Sequence, residues 1–124
     1  MKLLTKDIHE RLAKNGRVRE QLAEASSMQQ KRAEPDFIPV VKLFTPDGNC
    51  TWLLTELDPQ EPDIAFGLCD LGMGSPELGS VRISELESVR GPMGLAIERD
   101  RYFTPDKTIS AYAAEARASG QIKA

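Results

Sequence analysis

Val40-Val41-Lys42-Leu43-Phe44-Thr45-Pro46-Asp47-Gly48-Asn49-Cys50-Thr51-Trp52-Leu53-Leu54-Thr55-Glu56-Leu57 is the stretch whose reading decides the fold. Two runs of strand-forming residues enclose Pro46-Asp47-Gly48. That sequence is a hairpin turn with a mechanism: Pro presets the first turn angle, and Gly supplies the left-handed bulge position. Register follows from the turn. With Thr45 opposite Asn49, Phe44 faces Cys50, Lys42 faces Trp52, Val41 faces Leu53 and Val40 faces Leu54. Val41, Leu43, Leu53 and Leu57 then share one side. A third strand, Ile64-Ala65-Phe66-Gly67-Leu68-Cys69, follows the turn at 58–63, and pairing Leu57 with Ile64 adds Ile64, Phe66 and Leu68 to that core side. Val40, Lys42, Phe44, Cys50, Trp52 and Leu54 fall on the other, a surface too apolar to be left in water without a reason.

Outward from the hairpin, Thr5 can cap a helix with Ile8 and Leu12 one turn apart, and Asn15-Gly16 supplies residues that tolerate a left-handed stop. Val18, Leu22 and Ala25 suggest a second helical segment, which dissolves into polar residues; 26–34 is the candidate linker. Pro35 and Pro39 push the residues before them out of the helical region. Glu77-Leu78-Gly79-Ser80-Val81-Arg82-Ile83 reads as a fourth strand, and Ser84-Glu85-Leu86-Glu87 fits a capping box opening a short helix that Gly91-Pro92 ends. Thr104-Pro105-Asp106 reads as another helix start, leading to a stripe of Ile109, Tyr112, Ala113 and Ala116 that stops near Gly120. The expected class is α+β: a mostly antiparallel sheet of four to five strands with N-terminal and C-terminal flanking helices. One domain spans 1–124, with a helical, partly flexible segment over 1–34, the sheet body over 35–103 and the C-terminal helix over 104–124.

The chain has 124 residues, 40% of them apolar and 28% charged, with a mean hydropathy of -0.36. That suffices for one hydrophobic core, and no apolar run reaches the roughly 20 residues of a membrane helix. Met1-Lys2-Leu3-Leu4-Thr5 becomes charged at once and lacks the apolar stretch of a secretory signal, so a cytoplasmic location is expected. Net charge is -3, which argues against a broad duplex-DNA footprint. The charge is uneven: residues 1–34 hold eight basic and five acidic side chains, and residues 35–103 hold five and twelve. Complementarity between packed layers explains this more simply than a basic arm offered to an acidic partner.

Ser84-Glu85-Leu86-Glu87-Ser88-Val89-Arg90-Gly91-Pro92-Met93-Gly94-Leu95, followed by Ile97-Glu98-Arg99-Asp100-Arg101-Tyr102-Phe103, is the most distinctive run in the sequence. With Leu3-Leu4-Thr5, the stretch Val41–Asp47 and Trp52, it resembles a small bacterial domain-of-unknown-function family common on conjugative plasmids and integrative elements. The resemblance covers roughly residues 1 to 105 and carries no assigned activity. It implies a mobile-element accessory protein, whose neighbours serve conjugation, replication or resistance to host defences.

Chemistry finds few footholds. His9 is the only histidine and falls on the first helix, which disfavours His-rich metal sites and a Ser-His-Asp triad. Cys50 and Cys69 lack the spacing of a metal motif and are diagonal neighbours in the register above, somewhat too far apart to bridge, so free buried thiols are expected. Gly72-Met73-Gly74-Ser75-Pro76 lacks the Lys-Ser/Thr of a phosphate-binding loop and reads as a flexible connection. Asp70, Glu77, Glu98 and Asp100 could hold Mg²⁺ if they converged, as a nuclease requires; otherwise they are a solvated rim. No catalytic constellation or cofactor site emerges, and a non-enzymatic role is the expectation.

Three uses remain for the second sheet face. The C-terminal helix can cover it, which is the favoured reading; Phe44 and Trp52 can stack unpaired bases while Lys42 meets phosphate; or another protein can dock there. Arg82, Arg90, Arg99 and Arg101 are then the rim residues suited to carboxylates or phosphates. The functional expectation is a protein-interaction module of a mobile element binding a host or plasmid protein, an inhibitor of a defence system or a conjugation accessory. The alternative is a single-stranded nucleic-acid binder or Mg²⁺-dependent nuclease. Oligomeric state is not written in these residues.

Overall fold

The computed structural model describes residues 3–29 and 34–124 of the chain. Helix α1 (Lys6–Gln29) is followed by strands β1 (Val41–Phe44), β2 (Thr51–Leu57), β3 (Ile64–Asp70) and β4 (Glu77–Arg82), helix α2 (Ile83–Ser88), the short strand β5 (Glu98–Arg99) and helix α3 (Ile109–Ser119). The strands form one antiparallel sheet in the order β4-β3-β2-β1-β5. The α+β class is as expected. Among the described residues no helix is long and apolar enough to cross a membrane.

The hairpin register differs from expectation by one residue. Thr45 N donates to Cys50 O (3.1 Å) and Cys50 N to the Thr45 hydroxyl (2.9 Å), so four residues lie between the closing pair instead of three. Gly48 is not among the positive-φ glycines, and the left-handed bulge expected there does not form. Val41 therefore pairs with Leu54, Lys42 with Leu53 and Leu43 with Trp52. A one-residue slip moves every β2 side chain to the opposite face. Trp52 joins Val41, Leu43 and Leu54 in the core, and Leu53 passes to the other side. Leu57 pairs with Ala65 and not with Ile64; a bulge between Leu54 and Glu56 lets Leu54 and Leu57 both enter the first cluster.

Both faces of the sheet are covered. One carries Val41, Leu43, Trp52, Leu54, Leu57 and Ala65 against Leu12 of α1, Ile83 and Leu86 of α2, and Ile97. The other packs Leu53 and Leu68 against Ile109, Tyr112, Ala113 and Ala116, the complete α3 stripe, with Phe103 alongside. The C-terminal helix thus covers the Leu53 side of the sheet, and Trp52 lies beneath the opposite layer.

Thr5 caps α1 as expected, its hydroxyl accepting from Ile8 N at 3.2 Å. The helix does not stop at Asn15-Gly16 and continues through Gln29, so the proposed linker is helical over its first residues, while 30–33 lie outside the described residues. Tertiary contact explains the glycine. A Cβ on Gly16 would sit 1.8 Å from Leu57 O, so only glycine lets the helix backbone lie against β2. Asn15 Nδ2 adds a bond to Thr55 O at 2.9 Å. One turn on, Arg19 pairs with the buried Glu56 of β2, and its guanidinium lies 5.5 Å from the Phe66 ring centroid and 6.0 Å from that of Phe37.

Two helix starts are capped from a distance. Helix α2 has no side-chain cap of its own; Asp63 accepts from Ser84 N (3.0 Å) and from the Ser84 hydroxyl (2.6 Å), while Glu87 accepts from Leu3 N at 3.2 Å in place of closing a capping box. These Ser84 bonds hold the Asp63 carboxyl below the usual carboxylate range. Helix α3 begins at Ile109 after Thr108, four residues later than the Thr104 start predicted, because Asp36 accepts from Ser110 N (3.0 Å) and Phe37 O from Ile109 N (2.8 Å). The Ser110 bonds likewise lower the Asp36 carboxyl. Gly120, at φ 77°, closes α3 in the left-handed conformation expected of a terminal glycine.

Candidate arginine cleft

Of the seven contact residues named from sequence, the fold brings three together. Arg90 follows α2, Arg99 lies on β5 and Arg101 follows β5; with Leu3, Glu87 and Glu98 they line a cleft of about 520 Å³. The loop between Arg90 and Ala96 is closed by a bridge between those two residues. It is also pinned to the hairpin, since one Asp47 carboxylate oxygen accepts from Met93 N (2.7 Å) and Leu95 N (3.2 Å). A Cβ on Gly91 would fall 1.7 Å from the other Asp47 oxygen, so glycine is required for this approach.

Two of the three guanidinium groups, those of Arg90 and Arg99, are held by neutral acceptors. Arg90 Nη1 donates to Val89 O (2.8 Å) and Glu87 O (3.1 Å), and Arg99 Nη1 donates to Leu3 O. Among the described residues, none of the three forms an ion pair with a carboxylate. The remaining donors of Arg90 and Arg99 are oriented by these bonds, and those of the exposed Arg101 are open to an external acceptor. Glu87 and Glu98 temper the charge, Leu3, Ala96 and Ile97 add apolar lining, and exposed Met93 and Leu95 lie on the loop that joins the lining residues Arg90 and Ala96. Mixed charge beside adaptable apolar side chains suits a protein partner better than a polyanion.

The other four sit elsewhere. Trp52 is 4% exposed, within the core, so it does not share an open face with Phe44. Phe44 and Lys42 border a shallow pocket with Asp100, and Lys42 is engaged by Asp100 (3.6 Å) and by Ala124 O (2.6 Å). Arg82 pairs with Glu61 (2.8 Å) and Asp63 (3.7 Å).

The candidate Mg²⁺ carboxylates are not assembled. Asp70 is buried and accepts from Gly72 N (2.8 Å) and Ile122 N (3.0 Å), tying down the C-terminal segment. Asp100 is occupied by Lys42, Glu98 borders the arginine cleft, and Glu77 opens β4. Among the described residues no group of three or more His, Cys, Asp or Glu side chains is placed to hold a metal ion. His9 is exposed on α1. Cys50 and Cys69 are free thiols, and burial pushes Cys69 up to about 11.

Sequence reading missed Asp47 as the anchor of the 91–95 loop. An x-Pro-Asp-Gly turn accounts for its aspartate locally, and only the fold reveals a second, distant role. The chain matches the model of the family described as "Protein of unknown function (DUF2958)" over residues 3–123, and it belongs to that family. No curated protein and no solved structure matches it.

Proposed function

We propose that this chain is a non-enzymatic protein-interaction module of a mobile genetic element that grips an acidic segment of a host or plasmid protein in the arginine cleft, serving conjugation or resistance to a host defence. One observation carries the reading: Arg90, Arg99 and Arg101 converge on a cleft with no carboxylate partner among the described residues, although acidic side chains outnumber basic ones in the surrounding body. Unneutralised arginine at a concave, partly apolar surface is the composition of an interaction hot spot. The mobile-element setting rests on the resemblance of the 84–103 run. Affinity capture from bacterial lysate, with Arg90→Glu/Arg101→Glu run beside the unaltered chain, tests the proposal. A protein retained by the unaltered chain and lost on charge reversal supports it; retention that is indifferent to the reversal, or capture of nucleic acid alone, refutes it.

A further inference from the structure

Strand β4 ends the sheet, and among the described residues no strand pairs with its outer edge. The direction of its free backbone groups follows from the hydrogen bonds of the neighbouring strands. Ile83 N donates to Asp63 O (2.8 Å) and Asp58 N to Ile64 O (2.9 Å), and successive strand residues point their N–H and C=O to opposite sides. Ala65, Gly67 and Cys69 therefore bond to Val81, Gly79 and Glu77, while the N–H and C=O of Leu78, Ser80 and Arg82 are directed away from the sheet. Edge strands are normally blunted by short length, charged side chains (lysine above all), proline, a bulge or a covering segment, and the charges of β4, Glu77 and Arg82, stand only at its two ends. Glu77-Leu78-Gly79-Ser80-Val81-Arg82 contains neither lysine nor proline, and its pairing with β3 runs without a register shift. Exposed Leu71 and Met73 stand beside it, over a groove of about 450 Å³ whose lining includes Trp52 and Cys69.

We propose that this edge pairs with β4 of a second copy of the chain, antiparallel about a two-fold axis through Ser80, joining two five-stranded sheets into one. The alternation of backbone directions carries the argument. A two-fold axis matches outward residues with outward residues only when it passes through a residue position, and the three outward residues of β4 are symmetric about Ser80. Ser80 then faces Ser80, and Leu78 faces Arg82 in both directions, so every outward amide and carbonyl of the three finds a partner. No like charges fall opposite one another. Glu61, 2.8 Å from the Arg82 guanidinium, holds that head group while its aliphatic stem meets Leu78. Small residues at the centre, Gly79 and Ser80, leave the approach open; nothing lies within 4 Å of a Cβ built on Gly79.

Analytical ultracentrifugation across micromolar to millimolar concentrations reads the dimer directly. The unaltered chain is expected to dimerise, with dissociation at least tenfold easier in Ser80→Pro, which removes an outward N–H without touching the β3 ladder. Ser80→Glu, which sets like charges opposite each other, is expected to do the same and keeps the test sound where the proline variant folds poorly. Register is read by disulfide trapping with a copper-phenanthroline oxidant: Ser80→Cys places two Cα atoms roughly 5.5 Å apart, within bridging range, whereas Gly79→Cys places its own mates beyond it. A crosslinked dimer from Ser80→Cys but not Gly79→Cys supports the pairing. A chain that stays monomeric throughout, a dimer untouched by Ser80→Glu, or equal crosslinking at both positions overturns it.

Discussion

Removing the Arg19 guanidinium while keeping its length, as Arg19→Met, strands a carboxylate in the interior. The Glu56 side chain is 5% exposed and the Arg19 side chain 33% exposed, so the pair is buried on one side only. Arg19 also donates to Glu34 at 3.0 Å, whereas among the described residues Glu56 retains only the Thr55 hydroxyl, at 3.0 Å, once the arginine is gone. Breaking a fully buried pair costs about 3–5 kcal/mol; partial exposure of the arginine places Arg19→Met near the lower end, at about 3 kcal/mol. Glu56→Gln keeps a hydrogen-bonding group inside and leaves a guanidinium that can turn to Glu34 and water, so its cost is about 1 kcal/mol. The double variant Arg19→Met/Glu56→Met recovers most of the loss, because apolar groups of similar volume replace the pair. Urea denaturation with a common slope measures all three, and Arg19→Met lowers the thermal midpoint by roughly 10 °C. A cost below about 0.5 kcal/mol for Arg19→Met, the value of an exposed pair, refutes the reasoning, as does an equal cost for Glu56→Gln.

Trp52→Ala costs about 3–5 kcal/mol by chemical denaturation, and the indole of the unaltered chain emits at short wavelength and resists acrylamide; red-shifted, readily quenched emission contradicts the observed register. Asp36→Ala costs about 1 kcal/mol at neutral pH through loss of the α3 cap. Because the folded Asp36 carboxyl lies below its unfolded value, the stability it adds is present above the unfolded pKa near 3.9 and lost as pH falls through the folded value, so stability curves of Asp36→Asn and the unaltered chain converge in acid. Cys69, raised to about 11, adds stability below the ordinary thiol pKa near 8.5 that is lost as pH rises through about 11, and its alkylation accelerates only in that upper range; fast labelling at pH 8 contradicts its burial.

Elements with a one-sided pattern were legible in the sequence. Ile109, Tyr112, Ala113 and Ala116 spell a single helical stripe, and all four are buried in α3. The hairpin register was not legible, for a physical reason. Trp52-Leu53-Leu54 is apolar without alternation because both faces of β2 are covered, and an apolar run buried on both sides gives no period-two signal to choose between turns of three and four residues. Asn15-Gly16 carries the local signature of a helix end, and only Leu57, far along the chain, shows why glycine is needed inside the helix. The α3 start was displaced by Asp36, a cap 74 residues from Ser110 in sequence. Arginine clustering lay equally out of reach: Arg90, Arg99 and Arg101 converge through the pairing of β5 with β1 and the loop held by Asp47, neither of which leaves a local mark.

Fluorescence anisotropy of a labelled, glutamate-rich peptide, titrated with the unaltered chain and with Arg90→Ala/Arg101→Ala, addresses the cleft most directly, with a single-stranded oligonucleotide of equal length beside it. Saturable, salt-sensitive peptide binding is expected, weakened by up to about tenfold in the double variant, as two partly exposed arginine–carboxylate pairs allow. Equal peptide binding by both chains, or tighter binding of the oligonucleotide than of the peptide, contradicts the assignment of the cleft to an acidic protein segment.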